Sequence, residues 1–440
     1  MLRRILVFTL LALPDVIGWN CPAAAQTGTR VEQPPKVAGV VSVYHYNSHA
    51  DMLVGRVLAG HALNGQGQRP FLKLVSLFTD QVPENDLSRA AAKKYGFPVY
   101  DSVRQALAPG QDGLAVQGVL LIAEHGTYPR SKTGSKQYPK RRLFGQIADV
   151  FESTGSVVPV FCDKHLADNW TDAKWLYDRA VELDVPMMAG SSIPSCRRQP
   201  ATDVKRGAKL TEIVGVSFGP LDSYGFHGLE MVQCLAERRA GGETGVAGVR
   251  CLSGDAVWDT VRVSSGPASR ERGAVAGDTD ARGLYDKTLL HQALSGLRHR
   301  PWKTRQQTLR EAVKDPVLFV VDYHDGLRAS LLTLNGAVSE WSAAWSYADG
   351  SSDATLFQHM EVRPYHHFTY LLQGIETMIH TGKPTWPVER TLLTSGILDA
   401  ALISRSNAGR LVETPYLNVR YKSGWDWNQP PDLPPNPPEK

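Results

Sequence analysis

The sequence predicts an α/β chain: a Rossmann-like parallel sheet in the N-terminal half, followed by a second domain that contains antiparallel strands. Three observations predict it. Short, β-branched apolar runs alternate with helix-period segments over about 150 residues, the pattern of a doubly wound parallel sheet. Further along, two apolar runs flank Asp325-Gly326, a hairpin signal. Finally, 440 residues with 42% hydrophobic and 21% charged content leave room for two ordinary domains.

The elements follow in order. Val37 to Tyr44 (VAGVVSVY) reads as a buried parallel strand, and Ser48 to Leu58 as a helix with Met52, Leu53, Val57 and Leu58 on its apolar face. Phe71 to Phe78 is a strand, Leu87 to Tyr95 a helix, Val99-Tyr100 a short strand and Val103 to Leu107 a helix. Val116 to Ala123 is the third strong strand. Leu143 to Glu152 (helix), Val157 to Phe161 (strand), Trp170 to Leu183 (helix) and Val185 to Ala189 (strand) complete the alternation. In the second domain, Leu318 to Tyr323 and Ala329 to Leu334 form the hairpin. His366-His367 precedes an apolar-periodic helix and reads as an exposed cap pair.

Ligands bind at the carboxyl ends of parallel strands, so the residues after each strand carry the functional weight. They are Tyr44 to His49, Thr79-Asp80, Glu124-His125 and Asp163-Lys164-His165. Asp80 closes the second strand, where a dinucleotide fold places an acid on the ribose hydroxyls, although an N-cap or turn acid reads equally well. Lys164 follows an apolar strand, a place that suits a lysine facing a cleft.

Arg3-Arg4, the apolar stretch Ile5 to Leu13 and Ala23-Ala24-Ala25 read as an export signal ending near residue 25. A periplasmic or secreted protein is therefore expected, by the general secretory route rather than the twin-arginine one. The apolar stretch is far short of the roughly 20 residues that span a bilayer. Cys162, Cys196, Cys234 and Cys251 match no zinc spacing and read as buried thiols. Val263 to Arg282 looks like a flexible surface insertion. Gln429 to Lys440 (QPPDLPPNPPEK) is expected to be an extended, mobile tail. Lys plus Arg (48) nearly balances Asp plus Glu (44), giving +4 spread along the chain, which argues against a nucleic-acid partner.

At several places the residues resemble the glucose–fructose oxidoreductase/inositol dehydrogenase (Gfo/Idh/MocA) family. The stretches are YGFPVYDS (Tyr95 to Ser102), GVLLIAEHG (Gly118 to Gly126), Val157 to Ser192 with its Asp163-Lys164-His165, YGFHGLEMVQCL (Tyr224 to Leu235), and His367 to Pro415. The resemblance implies a Rossmann domain over residues 36–195 and an α+β domain over 196–420. The latter would have an open, mainly antiparallel sheet whose exposed face commonly mediates homo-oligomerisation. It also implies NAD(P), a sugar or polyol substrate, and hydride transfer. Lys164 then matches the lysine that holds the substrate hydroxyl, and His227 the histidine that accepts its proton. Tyr44, Asn47, Asp80, Glu124 and His125 fall where the family lines its cofactor.

The sequence departs from the family at the first turn. Ser42-Val43-Tyr44-His45-Tyr46-Asn47-Ser48 contains no glycine, although glycines let backbone amides approach a pyrophosphate. Two tyrosines and a histidine are expected to fill that space. Two alternatives to a working oxidoreductase follow. One is a carbohydrate-binding or scaffold protein on a degenerate dehydrogenase frame, with Trp341, Trp345, Tyr347 and Tyr365 available to stack on sugar rings. The other is a metal-dependent, non-redox enzyme using His45, His49, Glu124, His125, Asp163, His165 and His227.

Overall fold

Valine-rich runs with no polar interruption become strands buried on both faces. They are β1 (Lys36–Val41), β2 (Lys73–Thr79), β3 (Val99–Tyr100), β4 (Gly118–Ile122), β5 (Val160–Asp163) and β6 (Met187–Gly190). All pair in parallel, in the order β3-β2-β1-β4-β5-β6. This is the doubly wound dinucleotide-binding order, with its switch point between β1 and β4. The computed structural model describes residues 33–110, 113–262 and 283–432. The proposed export signal, the Val263 to Arg282 insertion and the end of the tail lie outside them.

The connecting helices are α1 (His49–Ala59), α2 (Ser88–Tyr95), α3 (Val103–Leu107), α4 (Lys140–Thr154) and α5 (Trp170–Glu182). Ser48 caps α1 by accepting the Asp51 N–H, and Asn169 caps α5 by accepting that of Asp172. Gly96 and Gly155 end α2 and α4 in the left-handed conformation.

The second half builds an eight-stranded mixed sheet from β7 (Arg198–Gln199), β8 (Leu210–Ser217), β9 (Val246–Ser253), β12 (Val317–Tyr323), β13 (Arg328–Thr333), β14 (Trp341–Tyr347), β15 (Ser352–Phe357) and β16 (Val412–Glu413). The remaining strands, β10 (Val261–Arg262) and β11 (Tyr285–Asp286), pair with each other. Only β13 and β8 pair in parallel within the large sheet; the hairpin around Gly326 joins β12 and β13 in antiparallel register. One face packs α6 (Tyr224–Ala236). The other is covered by Leu289, Leu290, Leu294, Leu297 and Trp302 from the segment after β11. The sheet face on which the oligomerisation expectation rested is therefore covered by this chain's own residues.

Of the last two long helices, His367–Thr381 returns to the first sheet, while Glu389–Ser406 packs mainly on β9 and α6 of the second half and reaches the first through Leu392. Phe368, Leu371, Leu372, Ile375 and Met378 of the first pack with Val37, Val41, Leu77 and Leu120. The Rossmann-like sheet thus completes its core with residues from the end of the chain, and both sheets lie in the compact unit that begins at Pro34.

Three expectations need correction. His367 is buried, not an exposed cap, because the helix it opens docks its first turn into this shared core. Trp341, Trp345 and Tyr347 are buried among the sheet residues and present no stacking platform. Gln429 and Pro431 are tied down rather than mobile: the Gln429 side chain accepts from Arg198 N (2.9 Å), and Pro431 O accepts from the Tyr370 hydroxyl (3.3 Å). The four described cysteines are free and buried, as expected.

Candidate functional site

The pairing of β5 with β6 creates the centre of the site. It runs on past the strands: Lys164 N donates to Gly190 O at 3.1 Å, holding the two strand ends together. Lys164 takes a left-handed φ of +60°, an uncommon conformation for a residue with a Cβ. Its Nζ lies 3.3 Å from Glu124 Oε2, at the end of β4. The other Glu124 oxygen pairs with Lys140, the first residue of α4, whose side chain is fully buried. Lys140 Nζ also donates to Asp163 O (2.8 Å), His165 O (2.6 Å) and His165 Nδ1 (2.8 Å). Although burial alone would raise the Glu124 pKa, Lys140, Lys164 and His165 together hold it far below the usual carboxylate range. Glu124 is therefore an anchor for two lysines, with both oxygens engaged, rather than a free ligand for a cofactor.

His227, on the first turn of α6, meets this centre from the second sheet. Its Nδ1 lies 2.6 Å from Ser191 Oγ, on the residue directly after β6. Burial, then Lys164, His359 and His49, push its pKa well below that of an ordinary histidine, so the ring is neutral. One turn on, the fully buried Glu230 accepts the Ser191 N–H (3.3 Å) and the hydroxyls of Thr391 (3.1 Å) and Thr394 (2.7 Å). Gly190 is required there: its φ is +122°, and a Cβ would stand 2.6 Å from Glu230 Oε2. Trp341 and His359 lie edge-on or tilted to His227 at ring separations of 6.0 and 6.3 Å, and His359 stacks on His367 at 3.7 Å.

The structure thus brings Lys164, His227 and Glu124 together. It adds Lys140, Ser191, Glu230, His359 and His367, which the sequence reading did not single out. Ser191 was accessible to the rule applied to the other strands, since it follows β6 directly; Glu230 lies three residues after His227, on the same helical face. Lys140 sits in a Lys-Arg-Arg run, which resembles any solvated helix start, and carries no such signal.

The other proposed residues lie at the ends of β1 and β2. The Tyr44 ring is buried in the core beneath α1, where its hydroxyl approaches Gly55, and Tyr46 is 60% exposed. Neither tyrosine fills the strand-end space as expected, because the turn sends one side chain inward and the other into solvent. Asn47 has φ +61° and donates its N–H to Asp51 at 2.9 Å; its side-chain oxygen accepts from Arg363. His125 packs against His45 and His49, and its Nδ1 accepts weakly from His49 N at 3.5 Å. His49 Nδ1 in turn lies 2.6 Å from Asp163 Oδ2. Asp80 is occupied on both oxygens, by Arg142 (2.7 Å) and the Tyr128 hydroxyl (2.8 Å). Among the described residues no group of three or more His, Cys, Asp or Glu side chains is arranged to hold a metal ion. His49, Glu124 and His165 are already spent on Asp163 and the lysines.

A parallel sheet in this order, joined to a mixed and mostly antiparallel sheet, is a fold shared with solved NAD-binding oxidoreductases. GenD2 from gentamicin A biosynthesis, solved in complex with NAD, superposes with a TM-score of 0.53. It is 13% identical, and the match covers 88% of this chain and 99% of that one. The myo-inositol 2-dehydrogenase of Lactobacillus plantarum (12% identity, 86% and 99% covered) and the myo-inositol dehydrogenase of Corynebacterium glutamicum (12%, 86% and 98%) each match at 0.47. No protein-family model and no curated protein matches the sequence.

The residues present do not fit a dinucleotide in the usual crevice. The first turn of α1, where a pyrophosphate would be held by free N–H groups, is capped internally by Ser48 and by the buried Asp51, which accepts from Asn47 N. The same carboxylate is paired with Arg363 at 2.7 Å, so the groups of this turn are engaged with one another rather than open to a phosphate. Beyond the turn, the segment after β4 is tied to the end of β2. Gln81 and Thr127 exchange two hydrogen bonds of 2.9 Å, and Tyr128 engages Asp80, the residue that would take the ribose. We expect NAD and NADP to show no saturable binding below about millimolar concentration, a free energy weaker than about −4 kcal/mol. Isothermal calorimetry checks this; micromolar binding abolished by Asp80→Ala would show the crevice opening.

Proposed function

We propose that the chain acts on a sugar or polyol, on the frame of a sugar oxidoreductase, with Lys164 and His227 holding the oxygen at which the ligand reacts. The observation that carries this reading is their juxtaposition: Lys164, at the end of β5, bonds Gly190 O through its N–H at 3.1 Å, and the next residue, Ser191, holds His227 of the second sheet's helix at 2.6 Å. Lys164 binds and orients the oxygen. Glu124 keeps its Nζ in place, and the neutral ring of His227 completes the contact. Ser191 and Glu230 fix that ring from behind. The buried histidines beside it limit access of water, so polar contacts to the ligand are stronger than in solvent.

A second reading, carbohydrate binding without redox turnover, is favoured by the engagement of Asp51 and Asp80. Export of the chain and any self-association belong to the same proposal. The former is checked by N-terminal sequencing of protein recovered from the host's periplasm, the latter by sedimentation.

The test is a thermal-shift and calorimetric screen of inositols, aldoses, lactones and alditols. A ligand that binds the wild type should bind Lys164→Ala at least about 30-fold more weakly, about 2 kcal/mol for a lost charge-assisted hydrogen bond. Turnover on adding NAD(P) selects the oxidoreductase reading; binding without turnover selects the second. A ligand bound equally by Lys164→Ala and His227→Phe would place the site elsewhere.

A further inference from the structure

We infer that His227 presents an N–H, not a lone pair, to the cleft, so that the ligand oxygen it meets is a hydrogen-bond acceptor such as a carbonyl. This rests on the proposed Lys164–His227 cleft and reverses the direction of the proton that the family resemblance implies.

The argument is one of hydrogen-bond accounting around Ser191. Its hydroxyl has one hydrogen to give and two lone pairs. The Ile193 N–H occupies one lone pair at 3.0 Å. The remaining polar contact of Oγ among the described residues is His227 Nδ1 at 2.6 Å. If Nδ1 carried the proton, the hydroxyl hydrogen would have no acceptor in a site where Ser191 is 2% exposed. Buried donors are satisfied in native structures, so the Ser191 hydroxyl donates to Nδ1. A neutral imidazole has a single N–H, which must then sit on Nε2.

The scaffold enforces the arrangement from behind. Glu230 accepts the Ser191 N–H while Thr391 and Thr394 donate to its other oxygen. Gly190 lets the loop lie this close to the carboxylate, since a Cβ there would stand 2.6 Å from Glu230 Oε2. Glu230 is thus a positioning residue that acts on His227 through Ser191. With Lys164 a donor as well, the cleft offers two N–H groups to one oxygen. Such a clamp favours an oxygen gaining negative charge over a hydroxyl that must surrender a proton.

The test begins without a ligand. Protein labelled with 15N in histidine is examined by long-range 15N–1H correlation near pH 7.5, with His227→Gln supplying the assignment. The expected result is a neutral Nε2–H tautomer in the wild type. In Ser191→Ala it gives way to a mixture, while the other histidine signals stay put and report an intact fold. Glu230→Gln should broaden or mix the His227 tautomers in the same way. An Nδ1–H tautomer in the wild type, or one unchanged by Ser191→Ala, overturns the inference.

A second measurement compares a sugar lactone with its matching alditol. The lactone should bind at least about tenfold tighter to the wild type and lose that margin in His227→Phe. Equal affinities overturn the acceptor assignment. Binding of neither, with the Nε2–H tautomer present, overturns the proposed function and leaves the tautomer assignment standing.

Discussion

Moving the protein from about pH 8 to about pH 5 lowers its unfolding free energy by several kcal/mol, a large part of the 5–15 kcal/mol typical of a folded domain. The cause is a set of histidines depressed by burial, His61 and His125 among them; the three most buried, His165, His227 and His367, are 2%, 7% and 2% exposed. Burial depresses all three. Lys140 adds to it for His165, whose pKa falls to about 3; Lys164 adds to it for His227, and His359 for His367.

The sign follows from proton counting. Below about pH 6.5 each of these rings is protonated in the unfolded chain and neutral in the folded one, so the unfolded state binds more protons and acid favours it. His165 alone then costs about 2 kcal/mol by pH 5, His227 and His367 add to the loss in the same direction, and it continues until each folded-state pKa is reached. Glu230, raised by its burial, opposes the trend, because the folded state takes up its proton first as the pH falls and that gain is made above the ordinary carboxylate range. Urea melts at three pH values check this. His367→Phe should weaken the pH dependence, and a midpoint unchanged between pH 8 and pH 5 would contradict the account.

These histidines also mark where sequence reasoning reached and where it stopped. The parallel sheet was legible because residues such as Val119, Leu120 and Leu121 are apolar on both faces of the strand, which only a fully covered sheet requires. The strand ends were legible for the same reason: a charge directly after such a run, as at Glu124 or Lys164, has few explanations other than a cleft. Boundaries shifted by a few residues. Helix α4 starts at Lys140 rather than Leu143, for example, because a lysine usually marks solvent and here marks a buried partner.

What local pattern could not convey was which distant groups meet. The Tyr44 ring turns inward because α1 and the helix beginning at His367 together make a pocket for it, a long-range event. Asp80 read as a ribose ligand until Arg142 and Tyr128, 62 and 48 residues away, were seen on its two oxygens. The missing glycines were a sound local sign that the phosphate-binding turn had changed. Asp51, which ties the turn together through Asn47 and Arg363, looked like an ordinary first-turn helix acid.

Glu124→Ala should destabilise the protein by about 3–5 kcal/mol, the cost of leaving a buried charge without its partner. Lys140 is fully buried, so its side chain cannot move out to water when the carboxylate is removed; the carbonyl oxygens of Asp163 and His165 remain but carry only partial charge. Glu124→Gln keeps the shape and should cost nearly as much, because the loss is electrostatic rather than one of packing. The double variant Glu124→Leu, Lys140→Met removes both charges and should recover most of the stability, since a buried ion pair replaced by apolar groups of similar size is often neutral. Urea midpoints of the three variants decide it. A single variant that melts with the wild type would mean Lys140 finds another anion or sheds its proton at little cost. The double variant also separates stability from function: it restores the fold while leaving Lys164 without Glu124, so ligand affinity should stay low even where the melting midpoint returns. Recovery of both together would place the role of Glu124 in the core alone and leave Lys164 to position itself.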